Sequence, residues 1–363
     1  MRSGSSPIAW NVWGSVLLAD VAESIWYGET PAARVVRTAL SPLSSVFGAI
    51  VGRRHAAYDA KPPAPGRIPA ISIGNLTVGG TGKTPVSAWL ARRFADAGAS
   101  PAIVMRGYGA DEILVHRLLN PDVPAYGNSD RVAGVINAAL RGADVAILDD
   151  AFQHRRAARV IDVVLVSADR WTGEVRLLPA GPFREPLHAL RRANVVLLTV
   201  KAASDARIRA AARAIRAETD STVVTVDLIP ASFVDVGSQR REGIAAWRGR
   251  RVLAVSGIGD PAAYLTQLTR LGLAPEPMVF GDHHRFDDAS VRRVLKSAAG
   301  FDAVVCTLKD AVKLGPKWPS SAVPLWYLSQ SVVPRDGVDA LDAVVQSVLA
   351  ARGNGHFSLD LPR

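Results

Sequence analysis

The residues best suited to chemistry lie in ISIGNLTVGGTGKTP, residues 71–85. An apolar run, Ile68 to Ile73, ends in glycines, and these end in Gly82, Lys83 and Thr84 at the head of a helical pattern from Val86 to Phe94. Strand, glycine-rich turn, Lys-Thr and helix make a phosphate-binding loop. Backbone N–H groups freed by glycine, together with a helix N-terminus, surround a polyphosphate. Lys83 then reaches the β- and γ-phosphates and the Thr84 hydroxyl ligates Mg²⁺. Thr77, Val78, Gly79, Gly80, Thr81, Gly82, Lys83 and Thr84 form the expected nucleotide-binding set. The strict pattern wants glycine where Thr77 stands, and Gly79 and Gly80 lie inside the loop instead. Pro85 suits the first helical turn.

A nucleotide site needs a carboxylate for the metal. Asp149 and Asp150 follow the apolar run Val145 to Leu148 and supply it, directly or through water. Adjacent aspartates point roughly opposite ways, and the alternative for either is a helix cap or turn. Asp111 follows the turn made by Gly107 and Gly109 and is either a γ-phosphate neighbour or a solvated loop acid. LLPAGPFREP (177–186) presents Arg184 and Glu185 from a proline-stiffened loop, as a positioned pair or as a surface turn. His283 and His284, without cysteine or a spaced histidine nearby, suit acid–base or hydrogen-bonding work better than metal binding.

The elements that must hold these residues alternate. Strands are expected at Ala102–Met105, Val145–Leu148, Val163–Val166, Val195–Val200 and Val223–Val226, with helices at Val86–Ala97, Arg131–Leu140 and Ser204–Ala217. That alternation predicts an α/β fold, a P-loop NTPase-like doubly wound parallel sheet with ligands at the C-terminal strand ends. A smaller α/β unit begins near residue 240, with strands at Val252–Val255 and Val304–Cys306 and helices at Pro261–Leu271 and Ala289–Ala298. The expected organisation is N-terminal amphipathic helices over 1–60, a nucleotide-binding domain over 61–230, the smaller domain over 231–335, and a C-terminal helix (Ala340–Leu349) with a frayed tail over 336–363.

The apolar stretch from Ile8 to Ala22 is expected to be neither a signal peptide nor a transmembrane span, because Asn11 and Asp20 interrupt it. Trp10, Trp13, Leu17, Leu18 and Val21 mark one helical face. Leu40, Leu43, Val46, Phe47, Ile50 and Val51 mark a second, flanked by Arg34, Arg37, Arg53 and Arg54. Such faces belong to interfacial helices or to ordinary packed ones. The formal charge of +10 favours an anionic partner, and the absence of any RNA-binding signature or zinc finger argues against nucleic acid. The single cysteine, Cys306, excludes a disulfide framework and a cysteine-rich metal site.

Five stretches occur in one order: GNLTVGGTGKTP (74–85), LDDAFQHRR (148–156), LLPAGPFREPL (177–187), GDHHRF (281–286) and TLKDAVKL (307–314). In that order they resemble the tetraacyldisaccharide 4'-kinase family of lipid A synthesis, over about residues 20–330. The resemblance implies a two-domain kinase closing on ATP and Mg²⁺. Its acceptor is the 4'-hydroxyl of an acylated glucosamine disaccharide 1-phosphate. It also implies phosphate contact by Lys83, metal contact by Thr84, Asp149 and Asp150, and a catalytic cleft lined by Arg131, Arg184 and Glu185. The proton acceptor carries over to Asp111 with His283, an arrangement in which carboxylate orients imidazole. Here the stretch around Asp111 reads ADEI (110–113) where the family has Gly-Asp-Glu-Pro, and Ala151 replaces a glycine. A kinase with such an acceptor belongs on the cytoplasmic face of the inner membrane as a peripheral protein, its basic-flanked helices on the anionic surface. The alternatives are a P-loop kinase of a soluble small molecule and a nucleotide-switched binding protein.

Overall fold

The computed structural model describes residues 21–107, 110–258, 261–281 and 284–353. The apolar face expected from Trp10 to Leu18 lies outside them. The described residues divide into two compact units, one within 35–229 and 331–363 and the other within 1–34 and 230–330.

The larger unit is built on strands β1 (Ala70–Asn75), β2 (Pro101–Met105), β3 (Ala125–Gly127), β4 (Val145–Asp149), β5 (Ile161–Ser167), β6 (Val195–Val200) and the first part of β7 (Thr222–Asp235). Their order across the sheet is β7-β6-β5-β1-β4-β2-β3, and the pairings among them are parallel. Every residue of β1, β2, β4 and β6 is buried, which is why these strands read as continuous apolar runs. On one face, Ile71, Ile73, Val163 and Leu165 pack with α2 (Lys83–Asp96). Val86, Leu90 and Phe94 supply its buried stripe at helical spacing, each worth about 1.5–3 kcal/mol. On the other face, Ala70, Ala102, Val104 and Leu148 meet α4 (Arg131–Leu140). Asp130 caps α4, accepting from the Val132 and Ala133 N–H groups.

Two features depart from the sequence reading. First, α3 (Ala110–Leu119) is a helix that no sequence pattern marks, and it carries Asp111, for which a solvated loop was one of the two expectations. Asp111 and Glu112 in its first turn and Arg117 in its last suit the helix dipole. Second, Pro31 to Asp59 is one helix, α1, running through Pro42. Its Ser44, Gly48, His55 and Asp59 side faces the domain: Ser44 Oγ donates to Leu177 O at 2.8 Å and Arg155 pairs with Asp59. Its other side leaves Leu43, Val46 and Ile50 more than half exposed.

In the smaller unit the order is β10-β9-β11-β12-β7, with β9 (Arg251–Ser256), β10 (Ala274–Val279), β11 (Ala303–Cys306) and β12 (Leu325–Pro334). Its helices include α5 (Pro261–Arg270) and α6 (Asp288–Ser297). β10 escaped the sequence reading because it carries Pro275 and Pro277, which a sheet tolerates at its edge, where β10 lies.

Candidate active site

β1 delivers Asn75, fully buried, to the start of the glycine-rich loop. Gly79 and Gly82 have φ of 103° and 90°, in the left-handed region that side chains disfavour. A Cβ on Gly82 would lie 2.3 Å from Leu228 Cδ1. The loop is held from several sides. Asn75 Nδ2 donates to Thr81 Oγ1 at 2.9 Å, and Thr199 Oγ1 donates to Thr81 O at 2.9 Å. The Val78 N–H donates to Pro182 O at 2.8 Å, and the Arg184 N–H to Leu76 O at 2.6 Å. The stiff loop after residue 177 is thus paired with the phosphate loop, and this carries Arg184 to the site.

Lys83, Thr84 and Pro85 open α2. Lys83 Nζ donates to Asn75 Oδ1 at 3.1 Å and lies 3.5 Å from Asp150 Oδ1. Arg184 Nη2 donates to Asp150 Oδ1 at 3.0 Å and to Asn75 Oδ1. Burial pulls the Lys83 pKa down, and Asp150 opposes this. Burial pushes Asp150 up, but Lys83 and Arg184 outweigh it and hold the carboxyl at about 2. Two cations and a carboxylate thus face the loop, where a polyphosphate would draw Lys83 and Arg184.

Asp149 and Asp150 separate because the backbone turns between them. Asp149 still belongs to β4, while Asp150 has φ of 50°. Asp149 Oδ2 accepts from His116 Nε2 at 3.0 Å, and its Oδ1 is buried without a partner among the described residues. Arg131, 2% exposed, donates from Nη2 to Asp149 O at 3.4 Å and from Nη1 to Asn128 O at 2.7 Å. Burial lowers the Arg131 pKa against the pull of Asp150 and Asp149. Among the described residues no cluster of three or more His, Cys, Asp or Glu side chains is placed to hold a metal. Mg²⁺ does not require one, since it takes one or two carboxylates plus substrate phosphates and water. The orphaned Asp149 Oδ1 beside the loop fits that requirement.

Other expected site residues stand elsewhere. Glu185 is buried and bonds His55 Nε2 at 3.3 Å and Arg192, so its carboxylate clamps α1. Asp111 occupies the first turn of α3, and His283 lies outside the described residues. His284 Nε2 and Ser290 Oγ are 2.8 Å apart, and Phe280 and Phe286 pack around the ring. A cavity of about 170 Å³ is lined by Tyr58, Arg131, His154 and Arg156 among others. Burial lowers the His154 pKa, and Arg131, Arg106 and Arg54 lower it further against the pull of Asp150; Asp130 also lines the cavity.

Sequence reasoning missed Asn75, His116, His55 and Gln153, which donates to Asn75 O at 2.9 Å. Only Asn75 carried a signal, as a polar residue closing an apolar strand. The partners of the others are distant in sequence.

A family model described as tetraacyldisaccharide-1-P 4'-kinase matches residues 36–125 and 111–350. A tetraacyldisaccharide 4'-kinase of Anaeromyxobacter sp. (strain K) is 36% identical, covering 91% of this chain and 96% of the relative. One from Halorhodospira halophila is 35% identical over 82% and 89%. The crystal structure of LpxK from Aquifex aeolicus in complex with ATP matches with a TM-score of 0.71 at 25% identity, covering 86% of this chain and 99% of that one.

Proposed function

The chain belongs to the tetraacyldisaccharide-1-P 4'-kinase family, and on that premise we propose that it transfers the γ-phosphoryl group of ATP to the 4'-hydroxyl of an acylated glucosamine disaccharide 1-phosphate. The observation that carries the reading is the cluster of Lys83, Arg184, Asn75 and Asp150 at the glycine-rich loop, with Asp149 Oδ1 left free of protein partners among the described residues.

Phosphoryl transfer asks the protein for position and charge rather than covalent chemistry. Gly79 to Gly82 shape the backbone around the phosphates, and Lys83 and Arg184 exchange Asp150 and Asn75 for phosphate oxygens. Thr84 and Asp149, with Asp150 through water, would hold Mg²⁺, whose chemistry there is neutralisation of charge on the phosphates. The family resemblance supports Asp111 and His283 as the groups that take the acceptor's proton. The two arginines, Arg131 and Arg156, that line the cavity beside His154 support a place there for the acceptor's own phosphate.

The described residues contain one helix, Pro31–Asp59, long and apolar enough to cross a membrane by length and composition. Its anchored side favours lying on the surface over spanning it. Leu43, Val46 and Ile50 then enter the interface of the cytoplasmic leaflet, with Arg34, Arg37, Arg53 and Arg54 beside anionic head groups.

The test is transfer from ATP to the acylated disaccharide phosphate in mixed micelles, set against the deacylated disaccharide phosphate. A new phosphomonoester on the acylated acceptor alone is expected. Transfer to the deacylated acceptor alone would make this a soluble-substrate kinase, and ATP hydrolysis without either product would make it a nucleotide switch.

A further inference from the structure

We propose that His116 is a positioning residue for phosphoryl transfer, holding the Asp149 carboxylate so that Oδ1 is presented to the metal. The proposal rests on the reading of Asp149 as the metal-binding carboxylate. His116 is fully buried on α3, and its Nε2 lies 3.0 Å from Asp149 Oδ2. A carboxylate only accepts, so the imidazole carries its hydrogen on Nε2. Nδ1 is buried with no partner among the described residues. For packing alone an apolar side chain would serve this position better, because a buried polar atom without a partner costs stability.

The bond removes a particular freedom. The Asp149 backbone is fixed: its position in β4 pairs with Ile73 of β1, and its carbonyl accepts from Arg131. The terminal torsion of an aspartate is broad, so the carboxylate is not fixed by its backbone. Cations stand near it, since Asp149 bears electrostatically on both Lys83 and Arg131. Asp150, one residue on, already pairs with Lys83 and Arg184. Without the imidazole, Asp149 would turn toward the same cations and withdraw an oxygen from the metal. His116 also ties the carboxylate to the helix whose first turn carries Asp111.

The test uses full-length His116→Leu, His116→Asn and His116→Gln. Mn²⁺, as a spin-active substitute for Mg²⁺, is titrated by EPR into each protein with a non-hydrolysable ATP analogue bound. The glutamine amide nitrogen reaches the place of Nε2, whereas that of asparagine falls short. Loss of an outer partner of a metal ligand typically costs about 10–100-fold in metal affinity. We expect a loss of at least about tenfold in the Leu and Asn variants, restoration by Gln to within about threefold, and metal-free nucleotide affinity unchanged in all three. Should the Leu variant fail to fold, the Asn and Gln pair decides alone. Wild-type Mn²⁺ affinity in a folded Leu or Asn variant overturns the proposal. Asp149→Asn separates the premise: if it too binds Mn²⁺ normally, the metal assignment has failed, and if it alone loses Mn²⁺, only the role of His116 has.

Discussion

Replacing Glu185 by alanine should release α1 before it affects chemistry. The Glu185 side chain is 3% exposed; it meets His55 at 3.3 Å on one oxygen and Arg192 on the other. Arg192 also lies over the Phe152 ring, 4.3 Å from its centroid. Truncating one partner of a fully buried ion pair costs about 3–5 kcal/mol, because the other charge is left desolvated. Arg192 and His55 retain 22% and 19% exposure, so water reaches them in part. A loss of about 2–3 kcal/mol is therefore expected, at or below the lower bound of that range. Glu185→Gln keeps an acceptor oxygen and should lose less than half as much. Urea unfolding followed by tryptophan fluorescence reads this directly, since Trp171 packs in the cluster containing Phe152 and Leu187. The midpoint shifts at constant slope if stability alone changes. The family resemblance assigns Glu185 to the catalytic cleft, and the two ideas diverge here. Should Glu185→Ala unfold at the wild-type midpoint while turnover falls about 100-fold, equivalent to roughly 2.7 kcal/mol of barrier, the clamp reasoning is refuted.

Gly82→Ala places a side chain at φ of 90° and a Cβ 2.3 Å from Leu228 Cδ1. The left-handed backbone alone costs about 1–2 kcal/mol, so nucleotide affinity measured by calorimetry should fall at least about tenfold while circular dichroism is preserved. Serine at Leu43, Val46 and Ile50 together should leave unfolding unchanged, because all three are exposed, yet lower sedimentation with anionic vesicles more than about 100-fold, each burial being worth about 1.5–3 kcal/mol. Equal sedimentation would move the docking surface elsewhere. The Asp150 carboxyl is held at about 2 against an ordinary 3.8, so the unfolded chain binds more protons between those values. Its stabilising contribution is complete above about pH 4 and is lost as pH falls through about 2, and Asp150→Asn should flatten that part of the acid-unfolding profile.

The parts legible in the sequence are those whose signals are local. The buried strands of the parallel sheet show as apolar runs, the phosphate loop shows as glycines before Lys83, and α4 shows as the helical pattern Arg131–Leu140. Asp149 and Asp150 were visible because an apolar strand ended in them. Their different partners were not, since these depend on a left-handed turn at Asp150 and on His116, which stands 33 residues away and meets Asp149 only when α3 packs. Glu185 shows the same limit. Its proline-rich loop announced positioning, but His55, which it binds, lies on a helix whose sequence suggested only an apolar face. β12 and β10 went unread because one mixes aromatic and polar residues and the other carries prolines that only an edge permits.

The central claim is transfer of the γ-phosphoryl group to an acylated disaccharide. The most direct measurement supplies ATP labelled at the γ-phosphate with the acylated disaccharide 1-phosphate in mixed micelles, and follows wild type, Lys83→Ala and Asp111→Ala side by side. Wild type should place label on the disaccharide 4'-oxygen, Lys83→Ala almost none, and Asp111→Ala should lower kcat by more than it weakens ATP binding. Label released only as inorganic phosphate by wild type, with ATP bound normally, would contradict the central claim.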